Sequence, residues 1–89
     1  MKPFLSLIFP AYNEEFRITK SLETAFEYLS KQNYSYEVIV VDDGSNDKTA
    51  EVVSRLKNEV KIIKQPKNLG KGAAVRRGML EASGTFRVF

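Results

Sequence analysis

Three short stretches of this chain combine side chains able to grip a ligand. The first, Pro10-Ala11-Tyr12-Asn13-Glu14-Glu15, follows an apolar run. A tyrosine just past a buried segment offers a ring face on which a nucleobase can stack, and Asn13 and Glu14 can hydrogen-bond a base or ribose. The same residues also suit a plain helix entry, with Asn13 capping and Tyr12 packing. The second stretch carries Asp42 and Asp43, adjacent acids that close a β-branched run. Neighbouring carboxylates at such a point repel and lose hydration, a cost tolerated for a ligand, a cation or a helix cap. Capping accounts for Asp47 more readily than for the pair. The third stretch is Pro66-Lys67-Asn68-Leu69-Gly70-Lys71-Gly72. Free backbone N–H groups at a helix start, with glycines and lysines close by, favour an anion such as a phosphate. It is not a Walker A loop, because Gln65 stands where the first glycine belongs and Gly72 replaces the Ser/Thr. Nor is it the dinucleotide fingerprint, since Val75 follows Gly70 and Gly72 in place of the third glycine.

The missing residue types narrow the chemistry further. The chain has no histidine and no cysteine, so the commonest general base, the thiolate nucleophile and the thiolate metal site are all excluded. Any metal must be held by oxygen, which suits Mg²⁺ or Mn²⁺. A net charge of +3 fits a small anionic ligand as well as nucleic acid, and an ordinary solvated surface accounts for it too. Hydrophobic residues at 43% and charged residues at 28% are the balance of a soluble globular domain. No apolar run approaches the roughly 20 residues of a membrane span. The start, Met1-Lys2-Pro3, lacks the apolar stretch of a signal peptide, so the expected compartment is the cytoplasm.

These stretches must be positioned by the elements between them. Residues 4–9 (FLSLIF), 37–42 (EVIVVD) and 60–64 (VKIIK) read as strands, the first ended by Pro10 and the third nearer an edge because lysines flank it. Between them, residues 15–31 place Ile18, Leu22, Ala25, Phe26 and Leu29 on one helical stripe. A second helix, capped by Asp47 and starting at Lys48, buries Ala50, Val53 and Leu56. A third helix spans residues 71–82, with Gly84 as its left-handed stop and with Ala74 and Gly78 as small residues for close packing. A fourth apolar strand begins at Thr85. Strand and helix alternate, which calls for parallel pairing with right-handed crossovers in a Rossmann-like doubly wound α/β sheet of order 3-2-1-4. In such a sheet all three stretches emerge at the carboxyl ends of the strands, where ligands bind. One domain, residues 1–89, is expected. Its last element is an uncapped apolar strand, which reads as part of a longer domain and as an edge at which copies would self-associate.

Taken together and in order, the Pro10 to Glu14 loop, VVDDGSNDKT ending at Thr49, and KNLGKGAAVRRGMLEASG ending at Gly84 resemble family-2 glycosyltransferases of the GT-A fold. The resemblance covers nearly the whole chain and is nearest to the dolichyl-phosphate glucose and mannose synthases. The phrase from Gly70 to Met79 leans toward the glucosyl kind. By this resemblance Pro10, Ala11, Tyr12 and Glu14 line a nucleobase and ribose pocket, Asp43 with Asp42 beside it hydrogen-bonds the base, and Gly70 and Lys71 close the site. The implied donor is UDP-glucose or GDP-mannose and the implied acceptor a polyprenyl phosphate, with no nucleic acid partner. The resemblance also implies Mg²⁺ or Mn²⁺ held by an Asp-x-Asp motif that would follow Phe89. No residue of the chain is therefore assigned as catalytic or metal-binding, and inactivity of these residues alone is expected. A receiver-type signalling module would need its acid pair after the first strand and an aspartate after the third. Here the pair follows the second strand and Gln65 follows the third. A plain dinucleotide-binding module is disfavoured by the placement of the glycines.

Overall fold

The computed structural model describes residues 2–89. Its elements run β1 (Leu5–Ala11), α1 (Ile18–Ser30), β2 (Tyr36–Asp42), α2 (Thr49–Ser54), β3 (Lys61–Lys64), α3 (Lys71–Glu81) and β4 (Phe86–Val88). The four strands form one sheet in the order β3-β2-β1-β4, with every pair parallel. This is the expected topology. Parallel neighbours need a crossover between them, and α1, α2 and α3 supply the three crossovers.

Side chains along a strand alternate between the two faces of a sheet, and the core divides accordingly. Val38 and Val40 meet Ile18, Leu22, Phe26 and Leu29 of α1 and Val53 of α2 on one face. Ile8, Ile39, Val41 and Ile63 meet Ala74 and Ala82 on the other, beneath α3. β2 is buried from Val38 through Asp42, which explains its unbroken apolar run. α3 lies almost flush on the sheet. A Cβ added at Gly78 would stand 2.5 Å from Ile8 Cγ2, so the small residue there sets the spacing between layers.

Several local expectations are corrected. β1 does not stop at Pro10 but continues to Ala11, pairing Pro10 with Val41 and Ala11 with Asp42. Ala11 faces β2, accepting from the Asp43 N–H at 2.8 Å, so by alternation the missing N–H of Pro10 points to the other side. β4 pairs there only with Leu5 to Leu7, and no ladder bond is lost. α1 starts at Ile18, later than the apolar pattern indicates, because Glu14 and Glu15 ahead of it are tied to the second loop, and α2 runs only from Thr49 to Ser54, so Leu56 lies beyond it. Gly84 is not a left-handed helix stop. Among the described residues the glycines with positive φ are Gly44 and Gly70, and α3 ends instead through an extended Ala82.

Gly84 is required for a close approach. An added Cβ would lie 2.5 Å from Ser6 Oγ and 2.7 Å from Ser6 N, and the Gly84 N–H donates to Ser6 Oγ at 2.8 Å. The Ser6 hydroxyl in turn donates to the Glu37 carboxylate, which also accepts the Ser83 N–H at 2.7 Å. Burial alone would raise the Glu37 pKa. The Ser6 hydroxyl, the Ser83 and Gly84 amides and the Lys61 charge outweigh it and hold the group below its ordinary value. This network fastens the turn before β4 to β1 and β2. Among the described residues no helix is long and apolar enough to cross a membrane.

Candidate functional site

The loops after β1, β2 and β3 meet at the carboxyl ends of the strands, held there by hydrogen bonds between loops. Asn13 takes a left-handed backbone, φ 53°, a conformation asparagine tolerates better than most residues. Its N–H donates to Ser45 Oγ at 2.9 Å, and its Oδ1 accepts the Asn46 N–H at 2.9 Å. The Glu14 N–H donates to Thr49 Oγ1 at 2.9 Å and the Glu15 N–H to Asp47 Oδ2 at 3.2 Å. Asn13 therefore caps no helix but ties the first loop to the second. Asp47 does hold the start of α2, accepting the Thr49 N–H at 3.0 Å. Desolvation would raise its pKa, but the Thr49 hydroxyl and the Glu15 and Thr49 amides win and lower it.

The two adjacent acids have separate tasks. Asp42, 4% exposed, turns back on its own loop and accepts the Ser45 N–H at 3.1 Å. Asp43, equally buried, reaches across to the third loop. Its Oδ1 accepts the Leu69 N–H at 2.9 Å and its Oδ2 the Gly70 N–H at 3.0 Å. Gly44 follows with φ 71°, and a Cβ there would collide with the Lys67 carbonyl carbon at 2.3 Å. The third loop thus lies directly on the second, which only glycine at this position permits.

A cleft of about 370 Å³ opens between the loops. Pro10, Ala11, Tyr12 and Glu14 line one side, and Asp43, Gly70 and Lys71 line the other. Of the residues singled out in the sequence, Asn13, Asp42 and Gly72 stand outside the lining, the first two because their side chains are spent on backbone amides of the second loop. Two lining residues were not singled out, Asn68 and Ala74. Ala74 reads in the sequence as a packing residue, and it does form the cleft floor while packed on the sheet. Asn68 carried a faint signal, two residues before Gly70. Its Oδ1 accepts the Gly70 N–H at 3.1 Å, which leaves its NH₂ as a donor. Tyr12 is 42% exposed and so offers a ring face to an occupant. By helix geometry the first amides of α3 have no partner within the helix, and beside the Lys71 ammonium they favour an anion. A larger cleft, about 620 Å³, lies at the other end of the sheet among Phe26, Tyr36, Glu59 and Lys61, and none of the three loops reaches it.

The acids at the loop cleft do not fit a divalent cation. Both Asp43 oxygens accept backbone amides, and Glu14 is paired with Arg17. Among the described residues no three His, Cys, Asp or Glu side chains converge as a metal site would need. The cleft can therefore stack a planar ring, hydrogen-bond its edge and attract an anion, with no cation set of its own.

Curated proteins match this chain in sequence, and solved structures superpose on its arrangement of elements. A dolichyl-phosphate beta-glucosyltransferase of Trichomonas vaginalis is 44% identical over 89 residues, covering 91% of this chain and 27% of the relative. The chain spans about a quarter of the length of the curated relatives it matches. S. aureus TarS 1-349 in complex with UDP-GlcNAc superposes with a TM-score of 0.67 at 31% identity, over 96% of this chain and 26% of that one. The mannosyltransferase PcManGT of Pyrobaculum calidifontis, in complex with GDP-Man and Mn²⁺, does so with a TM-score of 0.74 at 27% identity, over 92% of this chain and 25% of that one. The model of the family described as "Glycosyl transferase family 2" matches residues 6–89, and with the parallel 3-2-1-4 sheet beneath that match the chain belongs to glycosyl transferase family 2.

Proposed function

We propose that this chain is the nucleotide-gripping part of a glycosyltransferase that moves a hexose from a nucleotide sugar to a polyprenyl phosphate. The observation that carries the reading is the convergence of Tyr12, Glu14, Asp43 and Lys71 on one cleft at the carboxyl ends of the strands. A base stacks on Tyr12, its edge meets Asp43 and Asn68, and the diphosphate lies toward Lys71 and the start of α3. The relatives' names favour glucose as the sugar and dolichyl phosphate as the acceptor, and hence UDP-glucose as the donor. UDP-GlcNAc and GDP-Man in the solved neighbours support a nucleotide sugar of either base.

Residues 1–89 are read as one partial domain that binds without transferring by itself. A divalent ion, in keeping with the Mn²⁺ complex of the mannosyltransferase, needs acids other than those at this cleft. The whole protein would work in the cytoplasm, at the cytoplasmic face of a membrane. β4 pairs on one side with β1 alone, and its open edge would join two copies across a two-fold axis.

Titration calorimetry of the chain with UDP, UDP-glucose and GDP-mannose, against ATP as control, tests the reading. Weak binding of UDP or UDP-glucose over ATP, with little gain on adding Mn²⁺, is the expected result. Equal binding of ATP, or a large gain with Mn²⁺, would count against it.

A further inference from the structure

We infer that Asp43 is the positioning residue of the third loop, so that one wall of the nucleotide cleft stands only while this carboxylate holds it. Between Gln65 and α3 the loop has no regular structure. Among the described residues, its side-chain hydrogen bonds to the rest of the molecule are the two that Asp43 accepts from Leu69 and Gly70. The remaining tie on Gly70 comes from Asn68, inside the loop. Asp43 is itself fixed, since its N–H donates to the Ala11 carbonyl at 2.8 Å and the residue is buried. Asp43 thus joins the end of β1, through its backbone, to the third loop, through both carboxylate oxygens.

A carboxylate suits this place because two N–H donors converge on it and each meets a separate oxygen. An asparagine offers one oxygen, and its NH₂ group would face the other donor. Asn68, Gly70 and Lys71 reach the cleft from this loop, so releasing it removes several contacts at once. Contact between Asp43 and a bound base is then additional to the positioning role.

The inference rests on the proposed nucleotide site for its consequence but not for its first test, which uses no nucleotide. In the unchanged protein, through-hydrogen-bond NMR couplings should connect the Leu69 and Gly70 amide nitrogens to the Asp43 carboxylate carbon. Their absence would overturn the inference, whatever any variant does. In Asp43→Asn, hydrogen exchange at Leu69 and Gly70 should quicken about tenfold or more, the size of one lost charge-assisted bond, while the β2 amides keep their protection. Exchange unchanged at Leu69 and Gly70, with UDP binding lost, would show that Asp43 serves the base and not the loop. Quickened exchange with no UDP binding even in the unchanged protein would uphold the loop role and sink the nucleotide reading instead.

Discussion

Each residue at the cleft carries one elementary interaction, and the cost of removing it follows from what it touches. Tyr12 is half open to solvent and supports no core, so Tyr12→Ala should leave the denaturation midpoint in place. It should weaken UDP binding by ~1–3 kcal/mol, about five- to 150-fold, as the loss of one base–aromatic stack. Calorimetry at matched protein concentrations checks this, and unaltered affinity would mean that the base lies elsewhere. Residue types announced most of this cleft. A tyrosine, two acids and a Gly-Lys-Gly run are uncommon together at strand ends, and Tyr12, Asp43, Gly70 and Lys71 line it, while Gly72 stands back from it and the side chains of Asp42 and Asn13 turn elsewhere. Those two were illegible for a shared reason, since their side chains bond to backbone amides of a loop folded onto them. Nothing in a linear pattern states which N–H will come within reach.

At the scale of the elements, the apolar periodicities located every strand and helix but erred at the ends. An end is decided by partners distant in sequence. Pro10 remains in β1 because the side of the strand it faces is unpaired, and α1 waits for Ile18 because Glu14 and Glu15 are held by Thr49 and Asp47. Gly84 was misread for the same reason, its task being to touch Ser6. The Glu37 network that joins β1, β2 and the turn before β4 has a pH signature. The folded Glu37 pKa lies below the ordinary 4.5 of the unfolded chain, so folding favours the ionised form. That stabilisation is complete above the unfolded value and is lost as pH falls through the folded one. Urea midpoints measured from pH 7 down to about 3 should therefore drop in the unchanged protein. Glu37→Gln should start lower at neutral pH and fall less steeply. Parallel curves for the two proteins would show that this network contributes nothing to acid sensitivity.

For the molecule as a whole, the two edges of the sheet are unequal. β3 is flanked by the exposed Lys61 and Lys64, charges that discourage strand addition. The one charge in β4, Arg87, is turned back onto the Gly84 and Met79 carbonyls, which leaves Phe86 54%, Val88 42% and Phe89 70% exposed beside a half-exposed Phe4. A net charge of +3 does little to keep copies apart. Sedimentation should show a mass that rises with concentration toward a dimer, and Val88→Lys should return it toward the monomer. A monomer at every concentration would remove the self-association proposal and leave the nucleotide site untouched. The arrangement of the sheet also has a consequence for how the protein is made. β1 sits in the interior of the sheet and is made before its partner β4, and the bond from the Gly84 N–H to Ser6 Oγ that fastens the turn ahead of β4 to it spans 78 positions of sequence. At the usual ~5–20 residues per second of translation, β1 waits about 4–16 seconds for that partner. Throughout the wait an apolar strand stands with a bare edge, the state that binds holding chaperones or other nascent chains. The sheet can therefore close around β1 only once residues as far as β4 have left the ribosome.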